Sequence, residues 1–268
     1  MATQQPKIVG IVNITADSFS DGGQYLETDA AREHAKKLLA DGADVVELSG
    51  ASSNVNSAPV SAQEEIARME PVLAELDCAV SVDATKPAVQ RWALSKGVAY
   101  LNDIKGFPDE SLYPELARSD AKLVVMHCIS GVDKAVRQEK SVQEVFDSIY
   151  SFFEQRLPAL EAAGITRERL VVDPGMGLFL ASNPEPSFAV FSHIAELKKH
   201  FGLPVMVSVS RKSFLRNFQK SDDCDIQSRT LAAELFAATQ GADYIRTHDV
   251  RALHQALATV GAIAEGAK

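Results

Sequence analysis

A chain of 268 residues, 46% hydrophobic and 24% charged, can bury a sizeable core and is far too apolar to be disordered. Its net charge of -9 argues against a general nucleic-acid role, although a local basic site remains compatible with it. Cys78, Cys128 and Cys224 are odd in number and irregularly spaced, and no run approaches the roughly 18 apolar residues of a spanning helix, so a reduced, cytoplasmic protein with no membrane association is expected.

The apolar runs are short and rich in β-branched residues: KIVGIVNI (7–14), ADVVELS (43–49), CAVSVD (78–83), VAYLNDI (98–104), AKLVVMH (121–127), RLVVD (169–173), LPVMVSVS (203–210) and ADYIRTH (242–248). Most are continuous rather than alternating, as in strands covered on both faces of a parallel sheet. Helical patterns lie between them. Residues 28–43 offer Thr28 or Asp29 as a cap and Gly42 as a stop, and residues 61–76 carry Ser61 and Glu64 in a capping-box pattern with a break or kink expected at Pro71. Residues 86–97 have Pro87 in the first turn, residues 142–164 are interrupted by Pro158, and residues 228–241 repeat the pattern. The rhythm predicts strand–helix units without a linker: one α/β domain over residues 1–268, a (β/α)8 TIM barrel. An open doubly wound sheet would want a glycine-rich dinucleotide fingerprint after the first strand, and residues 10–23, GIVNITADSFSDGG, do not supply one.

The unusual polar residues fall at the ends of these runs: Asn13, Asp83, Asn102 and Asp103, His127, Asp173, Ser210-Arg211-Lys212, and Arg246 with His248. Each has a plain structural reading. Asp83 can cap the following helix, Asn13 and Asn102 can serve turns, His127 can be a core histidine, Arg211-Lys212 a solvated pair, and His248-Asp249 a surface hydrogen bond. Their shared position favours a common pocket, because the carboxyl ends of barrel strands converge on one mouth. Asp83, Asn102, Asp173 and Lys212 suit a nitrogen-rich heterocycle with adjacent N–H groups, whereas Lys212, Arg246 and His248 form a positive set suited to phosphate or diphosphate. Asn13 and Asp17 are oxygen donors for a hard cation such as magnesium. There is no zinc-ligand spacing and no GxSxG elbow, and SRKS (210–213) lacks the Ser-x-x-Lys hydrolase spacing. These features reach a barrel enzyme with a polar, anion-binding mouth; hydrolysis, transfer and condensation all remain open.

GIVNITADSFSDGG (10–23), NDIKGF (102–107), VVMH (124–127), DPGMG (173–177), SVSRKSF (208–214) and IRTHDV (245–250) together resemble dihydropteroate synthase, in that family's order and over nearly the whole chain. The resemblance implies a dimeric (β/α)8 barrel that condenses 6-hydroxymethyl-7,8-dihydropterin diphosphate with 4-aminobenzoate, assisted by Mg2+. By that resemblance Asp83, Asn102, Asp173 and Lys212 hold the pterin, with Met126 and Leu178 lining its pocket. Asn13, Ser52, Ser53, Arg246 and His248 bind the diphosphate, with Asn13 toward the metal. Phe19, Ser210, Gly177 and the Lys212 stem lie beside the aminobenzoate, and Lys212, Asp83, Arg246 and His248 carry catalysis. A pterin-binding barrel for methyl transfer shares the acid–amide–acid pattern but is not expected to keep SFSDGG with SRKS and RTHDV; a non-catalytic pterin carrier is the other alternative, supported only by the altered second loop.

Departures from the ordinary pattern fall mainly in two places, with further ones in NDIKGFPDESLYP (102–114) and at Asp83-Ala84-Thr85. The second loop, close to GGESTRPG in the common enzyme, reads SGASSNVNSAP (49–59), with Ala51 for glutamate, Asn54 for arginine, Val55 for proline, and Glu47 for the strand aspartate just before it. After the sixth strand the usual GFGK is GLFL (177–180), which adds Phe179 as apolar bulk. ASSN (51–54) and GFP (106–108) resemble the acquired, sulfonamide-insensitive branch of the family, which implies insensitivity to drugs that imitate 4-aminobenzoate.

Overall fold

The computed structural model describes residues 5–14, 24–52, 57–131, 137–219 and 224–266. Eight strands are formed: β1 Lys7–Asn13, β2 Val45–Ser49, β3 Val80–Asp83, β4 Tyr100–Asp103, β5 Lys122–Met126, β6 Leu170–Asp173, β7 Met206–Val207 and β8 Tyr244–Thr247. Helices α1 Gln24–Ala40, α2 Ala62–Leu73, α3 Pro87–Ser95, α4 Tyr113–Arg118, α5 Val142–Ala162, α6 Glu185–Phe201, α7 Phe214–Asn217, α8 Ile226–Thr239 and α9 Val250–Gly266 lie between and after them. All strand pairs are parallel, in the order β6-β5-β4-β3-β2-β1-β8-β7. The two ends meet where Val172 bridges Val205 and the Val172 N–H donates to the Pro204 carbonyl at 3.0 Å. The sheet therefore closes into the expected TIM barrel.

Strand periodicity divides the core. Val9, Val45, Tyr100, Val124, Val171, Met206 and Tyr244 form a buried cluster of their own, with Tyr100 and Tyr244 edge-to-face at 5.9 Å. Their neighbours in sequence, among them Ile8, Val46, Leu101, Leu123, Val125, Val172 and Ile245, belong to the larger cluster shared with the helices. Successive side chains alternate between the faces of a strand, so the smaller cluster is a floor inside the barrel. The next inward positions, two residues on, are Ile11, Glu47, Asn102, Met126, Asp173, Ser208 and Arg246. An apolar floor thus carries a largely polar layer directly above it.

Two expected helix breaks do not occur. Pro71 falls in the last turn of α2, where it interrupts little, and α5 runs unbroken through Pro158. A proline inside a helix costs about 3 kcal/mol. Helix α5 buries Val145, Phe146, Ile149, Phe153, Leu157 and Leu160 along one face, and each such burial contributes about 1.5–3 kcal/mol, which outweighs the lost bond. The Ser61 hydroxyl accepts from the Glu64 N–H at 3.2 Å, but the complete reciprocal capping box is on α5, between Ser141 and Glu144.

Candidate active site

The polar layer is organised around Glu47. Its carboxylate is completely buried (0% exposed), and both oxygens are engaged. Arg246 Nε pairs with Oε1, while Ser81 Oγ donates to Oε2 at 2.9 Å and Asn102 Nδ2 donates to the same oxygen at 3.2 Å. Arg246 also donates through Nη2 to Asp83 Oδ2 at 3.2 Å. One acid on β2 thereby ties β3, β4 and β8 together. Burial opposes the Arg246 charge, but Glu47 and Asp83 outweigh it and raise the guanidinium pKa further. Burial, and next the Glu47 charge, push the Asp83 carboxyl well above the usual carboxylate range against the pull of Arg246. Asn102 Oδ1 is buried and has no hydrogen-bond partner. Asp83 sits opposite Asn102 in the β3–β4 register, and Lys86, without a side-chain capping bond, holds the N-cap position of α3, so Asp83 does not serve as its cap.

Across the barrel, Asp173 ends β6 opposite buried Met126. Its Oδ1 accepts the Gly175 N–H at 2.8 Å, and burial pushes the carboxyl up to about 6 against that hydrogen bond and the Lys212 charge. The Lys212 ammonium donates to the Met176 carbonyl at 3.2 Å and lies 4.7 Å from the centre of the Phe179 ring, a cation–π contact. Burial draws it down to about 8, although Asp173 and Asp83 pull the other way. Gly175 takes φ +78°, and a Cβ there would stand 2.5 Å from the His127 carbonyl oxygen; only glycine fits. Gly177, at φ +66°, leaves room for the Lys212 stem, whose Cδ would be 3.3 Å from a Cβ at that position. Leu178 and Phe179 are half-buried on the short 3-10 turn that follows.

On the β7–β8 side, the Ser210 hydroxyl bridges to His248, 2.9 Å from Nδ1 and 3.2 Å from the backbone N–H. Burial, then Arg246 and Arg211, draw the His248 pKa down to about 3. The imidazole is therefore neutral, and Arg246 is already committed to two carboxylates. The positive set expected from the sequence is in place, but it carries less free charge than its composition suggests. Asn13 is exposed at the end of β1, in register with Ser49, and Ser52 is exposed at the start of the second loop. That loop is held from behind, with Arg68 Nη1 donating to the Gly50 carbonyl at 2.9 Å and Ser49 Oγ donating to the Ala51 carbonyl at 2.7 Å. Phe19, Ser53, Asp17, Asn54 and Val55 lie outside the described residues.

Residues 9–248 match the family described as pterin binding enzyme. The chain is 54% identical to the dihydropteroate synthase type-2 of Escherichia coli over 97% of both chains, and 50% identical to the type-3 enzyme of the same organism over 94% of this chain and 97% of that one. The dihydropteroate synthase of Anaplasma phagocytophilum, solved with bound 6-hydroxymethylpterin monophosphate, superposes with a TM-score of 0.84 at 33% identity, over 97% of this chain and 99% of that one. The Xanthomonas albilineans enzyme solved with 4-aminobenzoic acid gives 0.84 at 30% identity, over 97% and 94%. The chain belongs to the dihydropteroate synthases. It is accordingly a transferase of folate biosynthesis.

Within this synthase barrel, three residues singled out by position are structural. His127 donates its backbone N–H to the Asp173 carbonyl at 2.8 Å, and its ring spans the Pro174 carbonyl (3.1 Å from Nδ1) and Ser148 Oγ (2.8 Å from Nε2). Burial draws it down to about 4, leaving a neutral clasp behind the β6 loop. Asp103 accepts from the Lys105 and Phe107 N–H groups and from Gln90 Nε2, so it, rather than Asn102, serves the loop backbone. Phe107, in the GFP segment associated above with drug insensitivity, is 1% exposed in the core, its carbonyl taken by Arg156 and Tyr113, which fastens the loop. The residue that strand ends alone did not reveal is Glu47. Its signal was an acid inside VVELS, every residue of which is buried.

Gly175→Ala tests the β6 turn. The forced 2.5 Å approach to His127 is expected to displace Asp173 and its turn, lowering stability by more than about 1 kcal/mol and pterin affinity along with it. Denaturant titration and ligand calorimetry on the same preparation check both.

Proposed function

We propose that the whole chain acts as one barrel whose mouth binds 6-hydroxymethyl-7,8-dihydropterin diphosphate and joins its exocyclic methylene to the amino nitrogen of 4-aminobenzoate, releasing diphosphate. The observation that carries this reading is the buried set of acceptors in the polar layer. Asn102 Oδ1 has no partner, and burial holds the Asp83 and Asp173 carboxyls above their ordinary range. A ring edge with adjacent N–H donors satisfies all three and favours the charged forms of the two carboxyls. Met126 and Leu178 supply the apolar walls, and Lys212 a donor for a ring acceptor.

The reaction needs no covalent enzyme group. The methylene C–O bond breaks with its electron pair passing to diphosphate, and the pterin ring delocalises the resulting cation. The aminobenzoate nitrogen then forms the new C–N bond and loses a proton. Asp83 and Asp173 favour the electron-poor ring electrostatically. Arg246 and neutral His248 donate hydrogen bonds at the leaving-group end, with Ser52, Ser53 and Asn13 toward the phosphates. Among the described residues no group of three His, Cys, Asp or Glu side chains could hold a metal, and Asn13 presents one exposed amide oxygen. That donor set fits a magnesium ion held chiefly by substrate phosphates, as this ion often is, with Asn13 as the chain's ligand. When bound, it neutralises charge on the departing diphosphate. Ser210, Gly177, Phe19 and the Lys212 stem flank the aminobenzoate.

No helix among the described residues is long and apolar enough to cross a membrane, in keeping with a cytoplasmic enzyme of small-molecule substrates. The same reading makes the chain a homodimer, and the apolar face where Phe218 and Phe236, each 47% exposed, flank a groove of about 370 Å³ between α6, α7 and α8 supports it.

A diphosphate-release assay with and without 4-aminobenzoate tests the reaction. Release is expected to require the amine, and Lys212→Ala should lower kcat/KM on the order of 100–1,000-fold. Release without amine, or a wild-type rate in the variant, would overturn the assignment. The pH profile carries a second expectation. Asp173 accepts pterin N–H groups as the carboxylate, which is depleted below its pKa of about 6. The kcat/KM for the pterin substrate should therefore fall as pH is lowered from 7 to 5, and the limb should be shallower in Asp173→Asn, where the raised Asp83 carboxyl remains to titrate. Sulfonamide insensitivity is the third. Phe179 stands against Lys212 where ordinary members carry GFGK, and a bulky ring there discriminates by shape. Sulfamethoxazole should leave the purified protein active at concentrations that block ordinary synthases, and Phe179→Ala should lower its inhibitory concentration by about tenfold, a difference of about 1.4 kcal/mol.

A further inference from the structure

We propose that Glu47 is a positioning residue that sets the polarity of the pterin pocket: it holds the Asn102 amide by its nitrogen and so leaves the oxygen as the acceptor for the ligand. The proposal rests on the pterin reading above and adds to it a residue outside the set assigned to substrate.

The two ends of an asparagine amide are nearly the same size, so the partner decides the orientation. Here the partner is a carboxylate that offers acceptors only. Glu47 Oε1 takes Arg246, and Oε2 takes the Ser81 hydroxyl and the Asn102 amide at 3.2 Å. The atom of Asn102 facing Glu47 must therefore be the nitrogen. Oδ1 is left buried and without a partner. An orphaned buried acceptor is destabilising, and a ligand N–H removes that cost. Asp83, opposite Asn102 in the β3–β4 register, continues the acceptor edge. The pocket thus reads a donor–donor edge, and Glu47 makes it do so.

Reach explains why a glutamate does this. Along the sheet, β4 and β8 each lie two strands from β2, across β3 on one side and β1 on the other. Adjacent strands are about 4.8 Å apart, so Glu47 spans toward partners roughly 10 Å away in both directions. The aspartate of the ordinary pattern is one methylene shorter and cannot hold both in this geometry. In this chain the amide and the guanidinium are therefore oriented by one side chain.

The test uses 6-hydroxymethylpterin binding by calorimetry, with steady-state KM values for both substrates, on wild type, Glu47→Gln, Glu47→Asp and the double variant Glu47→Gln/Asn102→Asp. In Glu47→Gln the new carbonyl stays on Arg246. The new amide nitrogen then forces Asn102 to turn round and present its own nitrogen to the ligand. Pterin Kd and KM should rise by at least about tenfold, with the KM for 4-aminobenzoate unchanged. Adding Asn102→Asp gives the new amide nitrogen an acceptor and returns an acceptor to the pocket, so the double variant should bind pterin several-fold tighter than Glu47→Gln alone. A merely structural role would shift kcat and both KM values together and show no such rescue. Glu47→Asp keeps the charge, should fold, and is expected to bind pterin several-fold more weakly than wild type. Wild-type affinity in Glu47→Gln or Glu47→Asp, or a double variant no tighter than the single, overturns the proposal while leaving the pterin reading intact. Failure of the wild type to bind the pterin overturns both.

Discussion

A carboxylate sealed inside a barrel imposes conditions on everything around it. Glu47 has no access to water, and an ion taken from solvent costs several kcal/mol unless geometry and further hydrogen bonds return it. The return comes from Arg246 on β8, Ser81 on β3 and Asn102 on β4. Those partners are in reach only when the strands are in their observed registers, so the charge network and barrel closure specify one another. Deleting one partner of such a pair costs about 3–5 kcal/mol, because the other remains buried and uncompensated. Below the network the floor of valines, tyrosines and Met206 keeps water out. Above it the strand ends open into the mouth.

The electrostatic balance of the mouth differs from the one the residue types suggest. Arg246 is committed to Glu47 and Asp83, and His248 is held neutral by burial and by Arg246 itself. The pair facing across the mouth remains adjustable. Asp173 is raised to about 6 and Lys212 lowered to about 8, both by burial. Each group is nearer to changing its charge than it would be in water. Hydrogen-bond donors brought by a ligand favour the carboxylates, and the carboxylates in turn favour the ammonium. Binding and ionisation therefore reinforce one another at the pterin end.

Much of this was legible in the sequence, and the parity of the strands explains the rest. Continuous β-branched runs separated by helical patterns announced the barrel. The strand ends announced Asp83, Asn102, Asp173, Arg246 and His248. Strand-end position gives height in the barrel but not facing. Counting in twos from floor residues Tyr100 and Val124 brings Asn102 and Met126 inward, and sends Asp103 and His127 outward to loop and helix. The same count from Val45 finds Glu47, which lies below the mouth and so escaped a reading that looked only at run ends. The prolines misled for an energetic reason. Pro158 argues for a break locally, but the apolar face of α5 buries more than the missing hydrogen bond costs.

The two ends of the site are built from different material, and that bears on how one end can change without the other. The proposed pterin end rests in part on the Glu47 network, which ties Asp83, Asn102 and Arg246 to β2, so that a shift in one member unsettles four strands. The far end is made of loop residues beyond the strands: the second loop, and the turn Gly177–Phe179, held by the Ser187 hydroxyl accepting the Gly177 N–H at 2.9 Å. On the proposed reading, a change at Phe179 alters the shape beside Lys212 without touching the Glu47 pairs. The departures agree with this division. Most fall in residues 49–59 and 177–180. Inside the strands Glu47 itself departs, where the longer acid keeps the charge and lengthens the reach.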